Sequence, residues 1–164
     1  MAIRSDFERV VTVDSDPDWL AAVRGNPEIA AAIDAGRADI RHADIGPVVE
    51  WGNPKNREQI QKWPNYITAA WEVWAERGEA PDLVYVDGRF RVACCLSVIL
   101  ACGANANVRV LLHDVSPERP HYDEVFEFFD VIERVNTLLV LKIKPGISIS
   151  RVMSVFLRRQ FDQR

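Results

Sequence analysis

Residues 83–95 read LVYVDGRFRVACC, and this stretch decides the fold class. Its first four residues are apolar or aromatic, as in a strand that is covered on both faces. The run ends at Asp87, and Gly88 permits a tight turn. The apolar residues after Arg91 predict a buried helix that ends near Gly103. A strand, a turn and a helix in this order are the repeating unit of α/β sheets.

The same alternation recurs along the rest of the chain. Strands are predicted in RVVTV, ADIRHADI, LVYVD, VRVLLHD and, as an edge strand, TLLVLKIKPG. Helices are predicted in YITAAWEVWAERG and VACCLSVILACG, and a helix or tail in ISRVMSVFLRR. Two helices or one interrupted helix are predicted in DWLAAVRGNPEIAAAIDAG, and RPHYDEVFEFFDVIERV is predicted as one helix or as a helix with a break near Asp130. Residues 46–66 are rich in proline, glycine and aromatic residues and are predicted to form a long irregular loop. The pattern therefore indicates a single α/β domain over residues 1–164 with a mainly parallel sheet.

Composition excludes several classes of protein. The chain has 164 residues, 48% hydrophobic and 27% charged, with a formal net charge of −4, so no nucleic-acid partner is expected. The N-terminus has no apolar signal core and the longest apolar run is too short for a bilayer, so no membrane association is expected. Cys94, Cys95 and Cys102 lie in one apolar stretch and are interpreted as buried, reduced residues of a cytoplasmic protein.

Four acidic residues follow the predicted strands. Each stands at or just past a strand end: Asp14, Asp44, Asp87 and Asp114. The carboxyl ends of parallel strands meet at one edge of a sheet, where ligands bind in α/β proteins. We therefore expect these acids to line one rim of the sheet.

Several segments, in order, carry a resemblance to a known family. They are VTVDSDPDW, ADIGPVVEWGNP, KWPNYITAAW, DLVYVDGRFRVACCL, VLLHDVSPERPHY and VIERVNTLLVLK. Together they resemble class I S-adenosylmethionine-dependent methyltransferase-like proteins, and more narrowly a bacterial subset with the phrase VDGRFR. The resemblance covers nearly all of the chain and implies a Rossmann-like sheet.

The resemblance implies a role for each acid. In such methyltransferases the acid that ends the second strand binds the cofactor ribose, which implies that role for Asp14. The acid after the third strand lies near the adenine, which implies that role for Asp44, with Ile45 beside it. The fourth strand ends on the substrate side of the cofactor, here at Asp87, and the fifth ends at Asp114.

One feature of the family has no counterpart before Asp14. The family begins with a strand and a glycine-rich turn that holds the methionine part of the cofactor, whereas residues 3–10, IRSDFERV, are similar to the end of the helix that follows that turn. Three explanations stay open: a truncated or mis-started reading frame, a strand supplied by another chain, or loss of cofactor binding. We expect S-adenosylmethionine to bind weakly or not at all.

Candidate catalytic and substrate-binding residues surround the expected rim. Asp87, His113, Asp114 and His121 are the candidates for proton transfer, since a histidine with an orienting acid can deprotonate a hydroxyl near neutral pH. His113 and Asp114 are adjacent, so they can act together only where the strand ends and the chain turns. The candidates for substrate binding are Arg89, Arg119, Tyr122, Trp51 and Tyr66. For the aromatic residues of the long loop, anchoring in the core is the alternative interpretation.

Arg89 and Arg91 both follow the turn glycine. One of them is expected to pair with Asp87 or Asp114 and the other to contact an anionic group, and we expect Arg89 to be the residue that organises the rim. Metal-dependent O-methyltransferases carry an Asp-Asn pair after the fifth strand, but Val115 stands in the place of the Asn. A divalent metal is therefore not expected.

The leading hypothesis is a methyltransferase that acts on a small or sugar-type hydroxyl. The alternatives are a non-catalytic α/β scaffold or binding protein and a nucleotide- or sugar-binding transferase domain of the same topology. The expected partner is a small-molecule substrate, and a homo-oligomer is compatible with the sequence.

Overall fold

The computed structural model describes residues 7–103 and 107–164. The chain divides into two compact units, Met1–Gly78 and Glu79–Arg164. The expectation of a single domain stays a prediction, and each unit is described by itself. Residues 3–10 are similar in sequence to the end of a helix. Residues 3–6 lie outside the described part of the chain, residues 7–9 are not helical, and Val10 begins the first strand.

The first unit contains a parallel pair of strands, a short hairpin and three α-helices. The elements are β1 (Val10–Asp14), α1 (Pro17–Arg24), α2 (Pro27–Asp34), β2 (Ala38–His42), β3 (Val48–Val49), β4 (Asn53–Pro54) and α3 (Pro64–Arg77). The strands β1 and β2 are parallel, and β3 and β4 form the antiparallel hairpin. The segment from 46 to 66, predicted as an irregular loop, therefore contains this hairpin and two short 3₁₀ helices, Glu50–Gly52 and Ile60–Lys62.

Local chemistry explains the helix boundaries in this unit. The carboxylate of Asp16 accepts the N–H groups of Asp18 and Trp19, and Pro17 occupies the first turn, where its missing N–H costs nothing. The helix α3 ends at Gly78, whose φ of 66° lies in the left-handed region that glycine adopts freely. These signals act within a few residues, so they can be recognised in the sequence itself.

The second unit contains a four-stranded mixed sheet. Its elements are β5 (Leu83–Val86), α4 (Arg91–Cys102), β6 (Arg109–Leu112), a 3₁₀ helix (Pro120–Glu127), β7 (Phe129–Val135), β8 (Leu138–Ile143) and α5 (Ile149–Arg159). The strand order is β5-β6-β8-β7. The pair β5–β6 is parallel, whereas β6–β8 and β7–β8 are antiparallel.

Three expectations about this sheet are wrong. The segment RPHYDEVFEFFDVIERV is not one helix, because its second half forms β7, where Val131, Ile132 and Val135 favour a strand. The strand β8 is not an edge, since it lies between β6 and β7. The sheets are mixed rather than mainly parallel, because only two residues separate β7 from β8 and a connection that short can join only antiparallel strands.

The core of the second unit lies between one face of this sheet and the helices. Alternate residues of β6 and β8 are fully buried, as expected for strands with one covered face: Val110, Leu112, Leu139 and Leu141. The helix α4 is buried along most of its length, and α5 contributes Val152 and Val155. Within residues 7–103 and 107–164, no helix combines the length and apolar character needed to cross a membrane.

Candidate functional site

Arg91 connects the two loops that follow β5 and β6. It is the first residue of α4, and only 2% of its surface is exposed. The guanidinium donates to the backbone carbonyls of Gly88, Asp87 and His113, each at 2.9 Å. Nη1 and Nη2 both donate to Asp114 Oδ2 at 3.1 Å. A planar group with several donors is suited to this task, and it fixes both loops at the carboxyl ends of two parallel strands.

The two loops also contain strained backbone. Phe90 has a φ of 57° and Asp114 a φ of 61°, both in the left-handed region. Asp tolerates this conformation better than a bulky Phe does, and each such residue costs on the order of 1–3 kcal/mol. Phe90 is fully buried. The clamp made by Arg91 and the burial of the Phe90 ring help to hold both residues in this conformation.

Asp114 is held as a carboxylate by two arginines. Its Oδ2 also accepts a hydrogen bond from Arg119 Nη1 at 2.9 Å. Partial burial acts to raise the pKa of Asp114, but the hydrogen bond and charge of Arg91, followed by the charges of Arg119 and His113, lower it below its usual value. Asp114 therefore remains ionised, and much of its charge is already compensated.

His113 lies one residue past the end of β6, where the chain turns. This is the position at which His113 and the adjacent Asp114 can act together. Its N–H donates to the carbonyl of Val86 on β5 at 3.1 Å. Its Nδ1 lies 2.9 Å from Asp87 Oδ1 and 3.2 Å from Asp114 Oδ1. The shorter contact goes to Asp87, which is 26 residues away in sequence. The adjacent Asp114 is the secondary partner, because its contact with Nδ1 is longer by 0.3 Å.

These contacts decide the tautomer of neutral His113. A carboxylate can only accept hydrogen bonds, so Nδ1 carries the proton when it faces Asp87 and Asp114. The other ring nitrogen, Nε2, then carries the lone pair. A histidine in this tautomer can take a proton from a bound hydroxyl, and the developing positive charge lies beside two carboxylates.

Asp87, His113 and Asp114 can also be considered as metal ligands. One ligand atom from each lies within 4.8 Å of the others. Arg91 and Arg119 already donate to Asp114, and the Nδ1 of His113 cannot bind a cation while it donates to Asp87. The geometry therefore suits a hydrogen-bonded base better than a cation site, and the expectation of no metal stays a prediction.

The other candidates of the second unit have different surroundings. The ring of Tyr122 is buried and packs under the guanidinium of Arg91, whose Cζ lies 5.6 Å from the ring centre. The rings of His121 and Tyr122 meet edge to face, with 4.2 Å between the ring centres. Partial burial, and then the charge of Arg164, lower the pKa of His121 below its ordinary value. Arg89 is half-buried, and the paired contacts expected of it are made by Arg91.

In the first unit, Asp14 and Asp44 lie at the carboxyl ends of β1 and β2. Asp14 Oδ1 accepts the N–H of Asp16 at 2.9 Å. The carboxylate of Asp44 accepts from Lys62 Nζ at 2.7 Å and from the N–H of Gly46 at 2.9 Å. The hydrogen bond from Lys62 is the main cause of the lowered pKa of Asp44. Each pair of acids thus lies at the end of its own parallel strand pair, and a common rim for all four stays a prediction.

A cleft of about 450 Å³ opens beside these strand ends. It is lined by Ser15, Asp16, Asp18, His42, Glu50 and Trp51, among others. Trp51 lies at the tip of the β3–β4 hairpin with 81% of its surface exposed and a φ of 63°. Trp63 is instead buried and Tyr66 is half-buried. The interpretation of loop anchoring therefore applies to Trp63, whereas Trp51 is available to a ligand.

No protein-family model matches the sequence, and no curated protein sequence matches it. Among solved structures, the chain is similar to a methyltransferase-like protein from Silicibacter pomeroyi. The TM-score is 0.73 and the identity 27%, over 94% of this chain and 77% of that one.

The fold is methyltransferase-like. The narrower resemblance to the subset with the phrase VDGRFR, and the complete Rossmann-like sheet, stay predictions. In this chain the phrase spans the end of β5, the turn and the first residue of α4, so its last arginine is the clamp residue Arg91.

The residues of the first unit fit part of S-adenosylmethionine. An acid ends β1, and a cleft with an exposed aromatic ring opens beside it, which suits a nucleoside. The residues near the expected adenine fit less well, because Ile45 is only 1% exposed and the carboxylate of Asp44 already has two donors. The cofactor-binding roles of Asp14, Asp44 and Ile45 stay predictions.

Sequence reasoning missed two residues of this site. The sequence pattern presents Arg91 only as an alternative to Arg89, although its place as the first residue of an otherwise apolar helix is a usable signal. The pattern also predicts Tyr85 as part of a buried strand. Its side chain is in fact 56% exposed, and its hydroxyl donates to Asp87 Oδ2 at 3.0 Å. No sequence signal identified this contact.

Proposed function

We propose that this protein transfers a methyl group from S-adenosylmethionine to a hydroxyl oxygen of a small or sugar-type acceptor, with His113 as the base. The observation that carries the proposal is the 2.9 Å contact between His113 Nδ1 and Asp87 Oδ1, at the carboxyl ends of β5 and β6 in a methyltransferase-like fold. When bound, the cofactor supplies an electrophilic methyl group.

The candidate residues of the second unit have the following roles in this proposal. His113 Nε2 accepts the proton of the acceptor hydroxyl, and Asp87 orients the ring and stabilises its charged form. Arg91 fixes the loops that present both residues. Arg119, half-exposed beside Asp114, and Arg89 are the candidates to contact an anionic group on the acceptor. His121 and Tyr122 lie just after Arg119, in the first turn of the 3₁₀ helix, and are the further candidates to contact the acceptor.

The first unit is proposed to bind the nucleoside of the cofactor through Asp14, with Trp51 closing the cleft and Tyr66 contributing from α3. We expect the affinity to be weak. The reason is that Ile45 is only 1% exposed and the carboxylate of Asp44 already has two donors, which leaves little of the expected adenine site accessible. A dissociation constant of about 1 µM, or about −8 kcal/mol, would be tighter than this expectation allows.

The test combines calorimetry with S-adenosylmethionine and transfer of its labelled methyl group to a panel of phenols and sugars. We expect transfer to fall by about 10²–10⁴-fold in His113→Gln and to fall also in Asp87→Asn, as for the loss of a general base. Asp130→Asn, the same change at an exposed position on β7, is the matched control and should retain transfer. Equal transfer by wild type and His113→Gln would overturn the role of His113.

A second candidate function is a binding protein without catalysis. The observations that favour it are the two donors already bound to Asp44 and the burial of Ile45, which leave little of the expected adenine site accessible. It predicts neither cofactor binding nor methyl transfer at millimolar S-adenosylmethionine, and that result would replace the first proposal by the second.

A further inference from the structure

Tyr85 is placed to control the orientation of Asp87. It lies on β5 opposite Leu111 of β6, with its side chain on the face of the sheet that is less covered. Its hydroxyl donates to Asp87 Oδ2 at 3.0 Å, while Asp87 Oδ1 faces His113 Nδ1 at 2.9 Å. The two oxygens of one carboxylate are therefore held by two different residues.

An exposed carboxylate held through one oxygen is free to rotate, because its terminal torsion is broad and roughly two-fold. Asp87 would become such a residue without the Tyr85 hydroxyl, since 42% of its side chain is exposed and only Oδ1 would remain held. Arg91 Nη2 lies 3.6 Å from Asp87 Oδ1, beyond hydrogen-bond distance, and does not fix the torsion. The Tyr85 hydroxyl is the contact that fixes Oδ2 and thereby directs Oδ1 toward His113.

We propose that Tyr85 is a positioning residue whose hydroxyl holds the Asp87 carboxylate, so that His113 keeps its proton on Nδ1 and its lone pair on Nε2. This inference rests on the proposed function for its catalytic meaning, but the arrangement itself can be measured without a substrate. Partial desolvation, followed by the hydrogen bond to Asp87, raises the pKa of Tyr85, so the hydroxyl remains a donor throughout the neutral range.

The decisive measurement is the tautomer of neutral His113 by ¹⁵N NMR of the imidazole nitrogens. The chain has three histidines, so the signals can be assigned by substitution. Wild type should show mainly the Nδ1–H form. In Tyr85→Phe, which keeps the ring that lies 6.3 Å from that of His113, the ratio of the Nδ1–H to the Nε2–H form should fall about three- to tenfold, as for the loss of one hydrogen bond.

Two further variants define the range of the response. Asp87→Asn removes the accepting carboxylate and should lower the ratio at least as much as Tyr85→Phe. Leu83→Ala removes a side chain two residues earlier on the same face of β5, also partly exposed at 36%, and should leave the ratio unchanged. An unchanged ratio in Tyr85→Phe, or the same fall in Leu83→Ala, would overturn the inference.

Measuring methyl transfer by the same variants distinguishes a failure of this inference from a failure of the proposed function. If wild type transfers methyl groups, Tyr85→Phe should lower kcat with little change in KM for the acceptor, because the hydroxyl acts through Asp87 and His113. If no methyl transfer is found but the tautomer ratio responds as expected, the proposed function fails and the positioning role of Tyr85 stands. A wild-type His113 that is mainly Nε2–H would overturn the inference directly.

Discussion

Replacing Arg91 by lysine tests whether the clamp at the strand ends depends on the shape of a guanidinium rather than on its charge. The arginine donates to the carbonyls of Gly88, Asp87 and His113 and makes two contacts with Asp114. An ammonium keeps the charge, but it is a compact group with three donors and cannot span these acceptors. Loss of two or three hydrogen bonds is therefore expected.

The expected size follows from these contacts. The net contribution of a typical hydrogen bond is about 0.5–1.5 kcal/mol, and a buried acceptor left without a donor costs more. Arg91→Lys should therefore lower the free energy of unfolding of the second unit by about 2–4 kcal/mol. The matched control is Arg158→Lys in the same unit, whose side chain is 50% exposed and whose ion pair with Glu124 measures 3.5 Å. That change should stay within about 0.5 kcal/mol.

The assay must report on the second unit. All five tryptophans precede Gly78, so tryptophan fluorescence would follow the first unit. Urea unfolding should instead be followed by far-UV circular dichroism, together with hydrogen exchange of the amides of β6 and β8. The ¹⁵N spectrum of His113 should change as well, because its carbonyl is one of the acceptors. If Arg91→Lys and Arg158→Lys were equally stable, the clamp would not have the role assigned to it.

Two other outcomes follow from ionisable groups. Burial acts to raise the pKa of Asp162, but hydrogen bonds from Arg164 and Arg159 lower it to about 2. The pKa of an aspartate in the unfolded chain is about 3.9. The ionised carboxylate of Asp162 therefore stabilises the fold above about pH 4, and this stabilisation is lost as the pH falls toward 2. Asp162→Asn should thus be less stable than wild type at pH 7, and the two proteins should become equally stable in acid. Urea unfolding at several pH values measures this. A difference in free energy of unfolding that stayed constant with pH would contradict the prediction. Burial raises the pKa of Cys94 to about 12 and also raises that of Cys95, so neither group is a reactive thiolate at pH 7.5. Because Cys95 is fully buried, it should react with a thiol reagent only as fast as the protein opens. Immediate reaction of the folded protein at Cys95 would show that the α4 interior is accessible.

The sequence by itself determined most of the elements and several of the candidate residues. Capping residues, turn glycines and apolar runs act within a few residues, so α1, α3, β5 and α4 follow from local patterns. The same locality placed Asp87 and Asp114 just past the ends of their own strands, β5 and β6. The segment of β7 shows where this reasoning stops. Its apolar spacing also suits a helix, and the β-branched residues decide for a strand only together with the pairing to β8.

Only the tertiary structure decided which side chains meet. Asp87 and His113 are separated by 26 residues and come together because β5 and β6 pair in parallel with Val86 opposite Leu112. That register also places the two loops where the guanidinium of Arg91, the first residue of α4, donates to the carbonyls of Asp87 and His113. The physical reason is that helix and strand patterns are set by neighbours in sequence, whereas a hydrogen-bonded site is set by distances between elements that the chain brings together only on folding.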